Sequence, residues 1–90
     1  MPTIKFTAAL SRFFPGLRTI TTEGQTIAAV LKATEKQYPR LLDYIVDESG
    51  QLRQHVNIYI GDNLIEDRIG LQDKVKASDE IYIMQALSGG

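Results

Sequence analysis

The chemistry this chain can do is concentrated in its last two residues, Gly89 and Gly90. Glycine has no Cβ, so a diglycine segment can lie extended in a channel too narrow for other residues. Its final atom group is then a carboxylate open on all sides. A free α-carboxyl has a pKa near ~3.5, so it is ionised at neutral pH. An ionised carboxylate can attack the α-phosphorus of ATP, and the resulting acyl adenylate is open to sulfur nucleophiles. A frayed terminus has the same composition. The fold ahead of the tail decides between the two readings.

Other reactive side chains are scarce. There are no cysteines. Disulfides, thiolate metal sites, iron–sulfur clusters and a cysteine nucleophile are thereby excluded. Sulfur handled by such a chain has to be carried on another atom, and the terminal carboxyl is the candidate. His55 is the only histidine. Without a second histidine nearby it reads as a surface strand residue, and no nucleophile–base–orienter set can be built around it. Asp62, Glu66 and Asp67 form an acidic cluster whose spacing does not match a calcium loop, so it reads as a solvated turn. Gly61 and Gly70 fit no phosphate-binding spacing. Lys5, Lys32, Lys36, Lys74 and Lys76 read as solubilising residues, although any of them can accept an isopeptide bond. The expectation is no intrinsic catalytic residue, no metal site and no stably bound cofactor.

Composition narrows the class further. Ninety residues make one small domain. The apolar fraction is 43% and the net charge −1, with both signs mixed along the chain. A nucleic-acid-binding domain shows a basic stripe, and none is present. No apolar run approaches the roughly 20 residues of a membrane span. Met1-Pro2-Thr3-Ile4-Lys5 enters a strand pattern at once, so no signal peptide and a cytoplasmic location are expected.

The elements that must hold the tail follow from periodicity. Ile4, Phe6 and Ala8 alternate with Lys5, Thr7 and Ala9, which predicts a strand over residues 3–10. Phe13-Phe14-Pro15-Gly16 breaks it, with the aromatics partly buried at the core edge. Arg18–Thr22 is β-branched and predicts a second strand, paired with the first as a hairpin. Thr26 is a candidate N-cap. Ile27, Val30, Leu31, Thr34 and Tyr38 then form one helical stripe, and Pro39 ends it. Lys32 and Glu35 stand at a spacing that suits a weak surface pair. Arg40–Tyr44 predicts a turn or short helix. His55–Ile60 alternates cleanly as a strand, turns at Gly61-Asp62-Asn63, and pairs with Leu64-Ile65. Residues 66–78 read as loop, anchored by Leu71 and Val75. Glu80–Met84 is the last strand and runs directly into the tail. One helix against a four- to five-stranded mixed sheet is an α+β two-layer domain.

Alternation also sorts the faces. If Val56, Ile58, Ile60, Ile81 and Ile83 face the helix, then Tyr59, Tyr82 and Met84 turn to the opposite face. Aromatic and thioether side chains on an open face suit partner binding, and the tail leaves from the same strand.

The β-β-α-β-β order, Val56-Asn57-Ile58-Tyr59-Ile60-Gly61-Asp62-Asn63, Asp79-Glu80-Ile81-Tyr82-Ile83 and the terminal Gly89-Gly90 together resemble the ubiquitin-like β-grasp sulfur carriers, the MoaD/ThiS family. The likeness covers the whole chain. The stretch from Val56 looks most like the cysteine-synthesis carriers. Molybdopterin-type subunits tend to carry an aromatic–proline run before their last residues, where this chain has Gln85-Ala86. The resemblance implies a β-grasp domain over residues 1–86 and a flexible tail over 87–90. It implies that an E1-like adenylyltransferase, using ATP and Mg²⁺, activates Gly90. A sulfur donor then forms a thiocarboxylate, and a sulfur-accepting synthase or transferase receives the sulfur. Gly89 would supply clearance and Leu87 would orient the tail. Two alternatives stay open: a protein modifier joined through Gly90 to lysines, and a β-grasp interaction module with an inert tail.

Overall fold

The computed structural model describes residues 1–14 and 16–85, and the side chains of all of these except Ala9 and Phe13. Five strands form one mixed sheet: β1 (Thr3–Phe6), β2 (Ile20–Thr21), β3 (Val56–Ile60), β4 (Asn63–Leu64) and β5 (Glu80–Gln85). Their order is β2-β1-β5-β3-β4. The strand that leads into the tail therefore lies in the middle. It runs parallel to β1, with Ile4 opposite Ile81 and Phe6 opposite Ile83. It runs antiparallel to β3, with Ile58 opposite Ile83 and Ile60 opposite Ile81. The inward residues Ile4, Ile58, Ile81 and Ile83 are all fully buried, while Ile60, nearer the edge, is only half-buried.

The main helix, α2, spans Ile27–Gln37 and covers this row. The Thr26 side chain accepts from the Ala29 amide at 3.2 Å, as a cap should. Ile27, Val30, Leu31 and Thr34 are buried along the predicted stripe. The buried Thr34 hydroxyl is satisfied by donating to the Val30 carbonyl at 2.8 Å. Two more amides at the helix start are taken by the loop ahead of β5. Ile27 donates to the Asp73 carbonyl at 3.0 Å and Ala28 to the Leu71 carbonyl at 2.8 Å. Leu71 and Val75 are buried, as anchors of that loop. After Pro39 the short helix α3 (Leu42–Ile45) tucks Leu41 and Ile45 into the core. Glu35 does not serve a surface pair with Lys32: its carboxylate accepts from the Leu42 amide at 3.3 Å and ties α2 to α3.

The first strand is shorter than its alternation predicts. β1 stops at Phe6, and Ala8–Phe13 form a helix, α1. The Thr7 carbonyl accepts from the Leu10 amide at 3.2 Å and the Ser11 amide at 3.3 Å, which opens the first turn. Ala8, Leu10 and Arg12 are strong helix formers. Leu10 is buried and Ala8 exposed. Burial of Leu10 satisfies both periods, so alternation alone could not separate them. The predicted hairpin pairing does hold, with Thr3 opposite Thr21, but β2 is confined to Ile20–Thr21.

Candidate functional site

β5 is held on both sides up to its end. The Thr7 amide donates to the Ile83 carbonyl at 3.2 Å, and the Gln85 amide donates to the Thr7 hydroxyl at 3.4 Å. On the other side Gln85 stands opposite Val56. The root of the tail is thus fixed by Thr7, just past β1, on one side and by β3 on the other. Leu87, Gly89 and Gly90 lie outside the described residues.

The face of the sheet away from α2 carries the residues that alternation assigns to it. Tyr59 and Tyr82 are directly opposite each other, and Met84 is opposite Asn57. Met84 is 40% exposed. Leu64 is paired with Tyr59 and is 48% exposed, so it extends the same apolar surface. Sequence reasoning names Leu64 only as a residue of a partner strand over Leu64-Ile65, which the structure places one residue earlier, at Asn63–Leu64. The signal for it is the two-residue turn at Gly61-Asp62, with Gly61 at φ 61, which brings Asn63 opposite Ile60 and Leu64 opposite Tyr59.

Charge on this face is paired within the chain. The Tyr82 hydroxyl donates to Glu80 at 2.7 Å, and the Lys5 ammonium stands 3.6 Å from the same carboxylate. That ammonium also lies 5.4 Å from the centre of the Tyr82 ring. The Glu80 carboxylate is pulled below its ordinary range by the Tyr82 hydroxyl first and by Lys5 second. The Tyr82 phenol is pushed up, chiefly by that same hydrogen bond. Tyr82 is therefore a neutral phenol across the physiological range, beside a paired charge. Arg68 closes the β3 side, donating to the Asn57 side chain at 3.1 Å and to the Arg53 and Val56 carbonyls at 2.7 and 2.9 Å.

The remaining candidates are not brought together. Asp67 is not simply solvated. Its carboxylate accepts from the Ile69, Gly70 and Gln72 amides at 3.1, 2.8 and 3.1 Å. Asp62 and Glu66 are exposed, and no group of three metal-ligating side chains exists among the described residues. His55 is exposed and falls just before β3 rather than within it. A hollow of 590 Å³ between Pro2, Gly24, Thr26, Lys74 and Lys76 lies at the end of the sheet opposite the tail root. The nearby helix start is no anion cradle, because Thr26, Leu71 and Asp73 already take its amides. No helix among the described residues is long and apolar enough to cross a membrane.

A family model described as the ThiS family matches residues 4–90, which takes in the diglycine. The chain belongs to the ThiS family. It is 30% identical over 77 residues to the sulfur carrier protein CysO of Mycobacterium tuberculosis, covering 83% of each chain. Its fold matches a chain of the Amycolatopsis orientalis BexX/CysO complex at a TM-score of 0.86, with 23% identity and 100% of both chains covered. It matches small archaeal modifier protein 1 of Methanosarcina acetivorans at 0.79, with 29% identity, 99% of this chain and 95% of that one. The five-stranded sheet with its packed helix is thus the ubiquitin-like β-grasp expected of this ThiS-family chain.

Proposed function

We propose that this chain is a sulfur carrier whose reacting group is the Gly90 carboxylate. A carboxylate oxygen attacks the α-phosphorus of ATP on an E1-like adenylyltransferase, which also holds the Mg²⁺, and pyrophosphate leaves. A sulfur nucleophile attacks the acyl carbon of the adenylate and AMP leaves, giving a thiocarboxylate. That sulfur attacks an electrophilic acceptor on a synthase or transferase, and hydrolysis of the acyl product restores the carboxylate. The chain provides the presented group and its partners the catalysis. Residues 1–86 serve as the body and 87–90 as the tail, with Gly89 giving clearance and Leu87 orientation. Tyr59, Tyr82 and Met84 serve as the partner-docking face.

The observation that carries this reading is the family match running through Gly89 and Gly90. It is supported by a relative named as a sulfur carrier, and by a tail root on the central strand next to an apolar, charge-paired face. Cysteine synthesis is the favoured destination, from the look of the Val56–Asn63 stretch and the CysO relative; molybdopterin, thiazole and tRNA thiolation use carriers of the same kind. A second reading, a modifier conjugated to lysines, is supported by the likeness to small archaeal modifier protein 1.

The test is intact-mass analysis after incubation with an E1-like adenylyltransferase, ATP, Mg²⁺ and sulfide. Replacement of one terminal oxygen by sulfur is expected, and it should vanish when Gly89 and Gly90 are removed. An unchanged mass with an enzyme shown to bind the chain overturns the carrier. Isopeptide adducts in cells without any thiocarboxylate favour the modifier.

A further inference from the structure

On the helix side of the tail root lies an open hollow of 290 Å³, lined by Asp43, Tyr44, Arg53, His55 and Gln85. Arg53 is unusually well fixed for a loop residue. Its amide donates to the Ile45 carbonyl at 3.0 Å, and its carbonyl accepts from Arg68 at 2.7 Å and the Val56 amide at 3.0 Å. Its Nε donates to the Asp43 carbonyl at 3.0 Å. The terminal Nη groups of that guanidinium have no hydrogen bond or ion pair among the described residues. His55 is exposed beside it. On the floor, Gln85 Oε1 is buried with no donor among the described residues. The hollow thus offers a positioned cation and a histidine, and it lacks one N–H donor.

We infer that this hollow is a second docking point, which takes an acidic side chain from the rim of the channel that receives the tail. The inference rests on the carrier reading and deepens it. Five residues follow Gln85, so the reacting carbon is at most about 17 Å from it. An enzyme that encloses a tail this short must press its channel rim onto the residues around the root. Met84 faces that rim from the open side of the sheet, and Arg53 with His55 from the helix side. A guanidinium fork with free Nη groups matches a carboxylate in geometry as well as charge. The backbone amide of the same acidic segment can supply the donor that Gln85 lacks. An apolar contact on one side and an ionic one on the other would admit the tail in one rotational setting only. The charged and titratable groups facing His55 here are Arg53, Asp43 and Tyr44. Asp43 carries the sign that disfavours an acidic partner, as do Asp47 and Glu48, which line a neighbouring hollow with Arg53.

The test uses the full chain with an E1-like adenylyltransferase, read as ATP–pyrophosphate exchange at low and high salt. Arg53→Gln is expected to raise the KM for the carrier about five-fold at low salt and to flatten its salt dependence. His55→Gln should raise it less than Arg53→Gln does, because the fixed guanidinium remains. Asp43→Asn should lower it, a change of opposite sign that damaged packing would not produce. It also leaves the main-chain carbonyl that holds Arg53 intact. Equal KM values for the wild type and all three variants, or a rise for Asp43→Asn, overturn the hollow while leaving the carrier standing. No exchange by the wild type with an enzyme that binds it overturns both.

Discussion

Arg40 and Leu71 both have left-handed backbone, at φ 78 and φ 56, and the same substitution should act on them in opposite directions. A side chain in this region costs roughly 1–2 kcal/mol relative to glycine. Arg40 is exposed in the reversal between α2 and α3, and its side chain makes no hydrogen bond or ion pair among the described residues to offset this strain. Arg40→Gly should therefore stabilise the chain by about 0.5–1 kcal/mol, net of glycine's greater unfolded-state entropy. At this size that is a rise of a few degrees in thermal midpoint. Leu71 is buried, and losing its side chain costs about 2–5 kcal/mol, which outweighs the relief of strain. Leu71→Gly should be clearly destabilising in the same melt. A stabilising Leu71→Gly would mean that strain, rather than burial, decides that position. Neither conformation is legible in the sequence, since arginine and leucine are not the residues that favour it.

Among the elements, legibility follows from how many independent signals agree. At α2 the Thr26 cap, the apolar stripe and Pro39 all point to one helix, and its bounds come out as expected. At β1 the signals conflict, because Leu10 is inward in either period, and alternation gives too long a strand. The 66–78 loop carries almost no periodic signal, so its order has to come from side-chain caps. Asp67 takes three amides there, and Asp73 takes those of Glu66 and Asp67 at 3.0 and 2.8 Å. The loop in turn supports the start of α2 through the Leu71 and Asp73 carbonyls. The Asp67 carboxylate is held below its usual value of 3.8, first by the Gly70 and Gln72 amides. A depressed folded value means that its stabilising contribution is complete above the ordinary carboxylate range. It is lost progressively as pH falls from that range through the lower folded value. Asp67→Asn keeps one acceptor but turns an amide toward neighbouring N–H donors. In denaturant titrations the wild type should exceed this variant near neutrality. The gap should persist down to the ordinary carboxylate range and close as pH falls below it. A gap of constant size throughout acid would show that the charge is not responsible.

At the level of the whole molecule, the sheet order decides what the tail means, and that order is the part least visible in sequence. Alternation alone assigns Tyr59, Tyr82 and Met84 to the open face. It does not reveal that β5 is central, that Leu64 joins the face, or that Arg53 and His55 meet Gln85 around the tail root; strand adjacency and turn register set these. A central β5 separates two roles between adjacent residues. Ile83 is fully buried, opposite Phe6 and Ile58, whereas Met84 is 40% exposed on the other face. Ile83→Ala should cost about 2–5 kcal/mol, a large part of the roughly 5–15 kcal/mol that holds a domain of this kind together. Met84→Asp should alter folding stability by about 0.5 kcal/mol or less, as is usual for surface positions. It places a desolvated charge in any interface formed there, and should raise the KM for adenylation about ten-fold. Denaturant unfolding and exchange kinetics on the two variants separate the scaffold from the docking face. An unchanged KM for Met84→Asp would mean that the enzyme does not approach over the open sheet, and the contact around the tail root would then have to orient the chain without it.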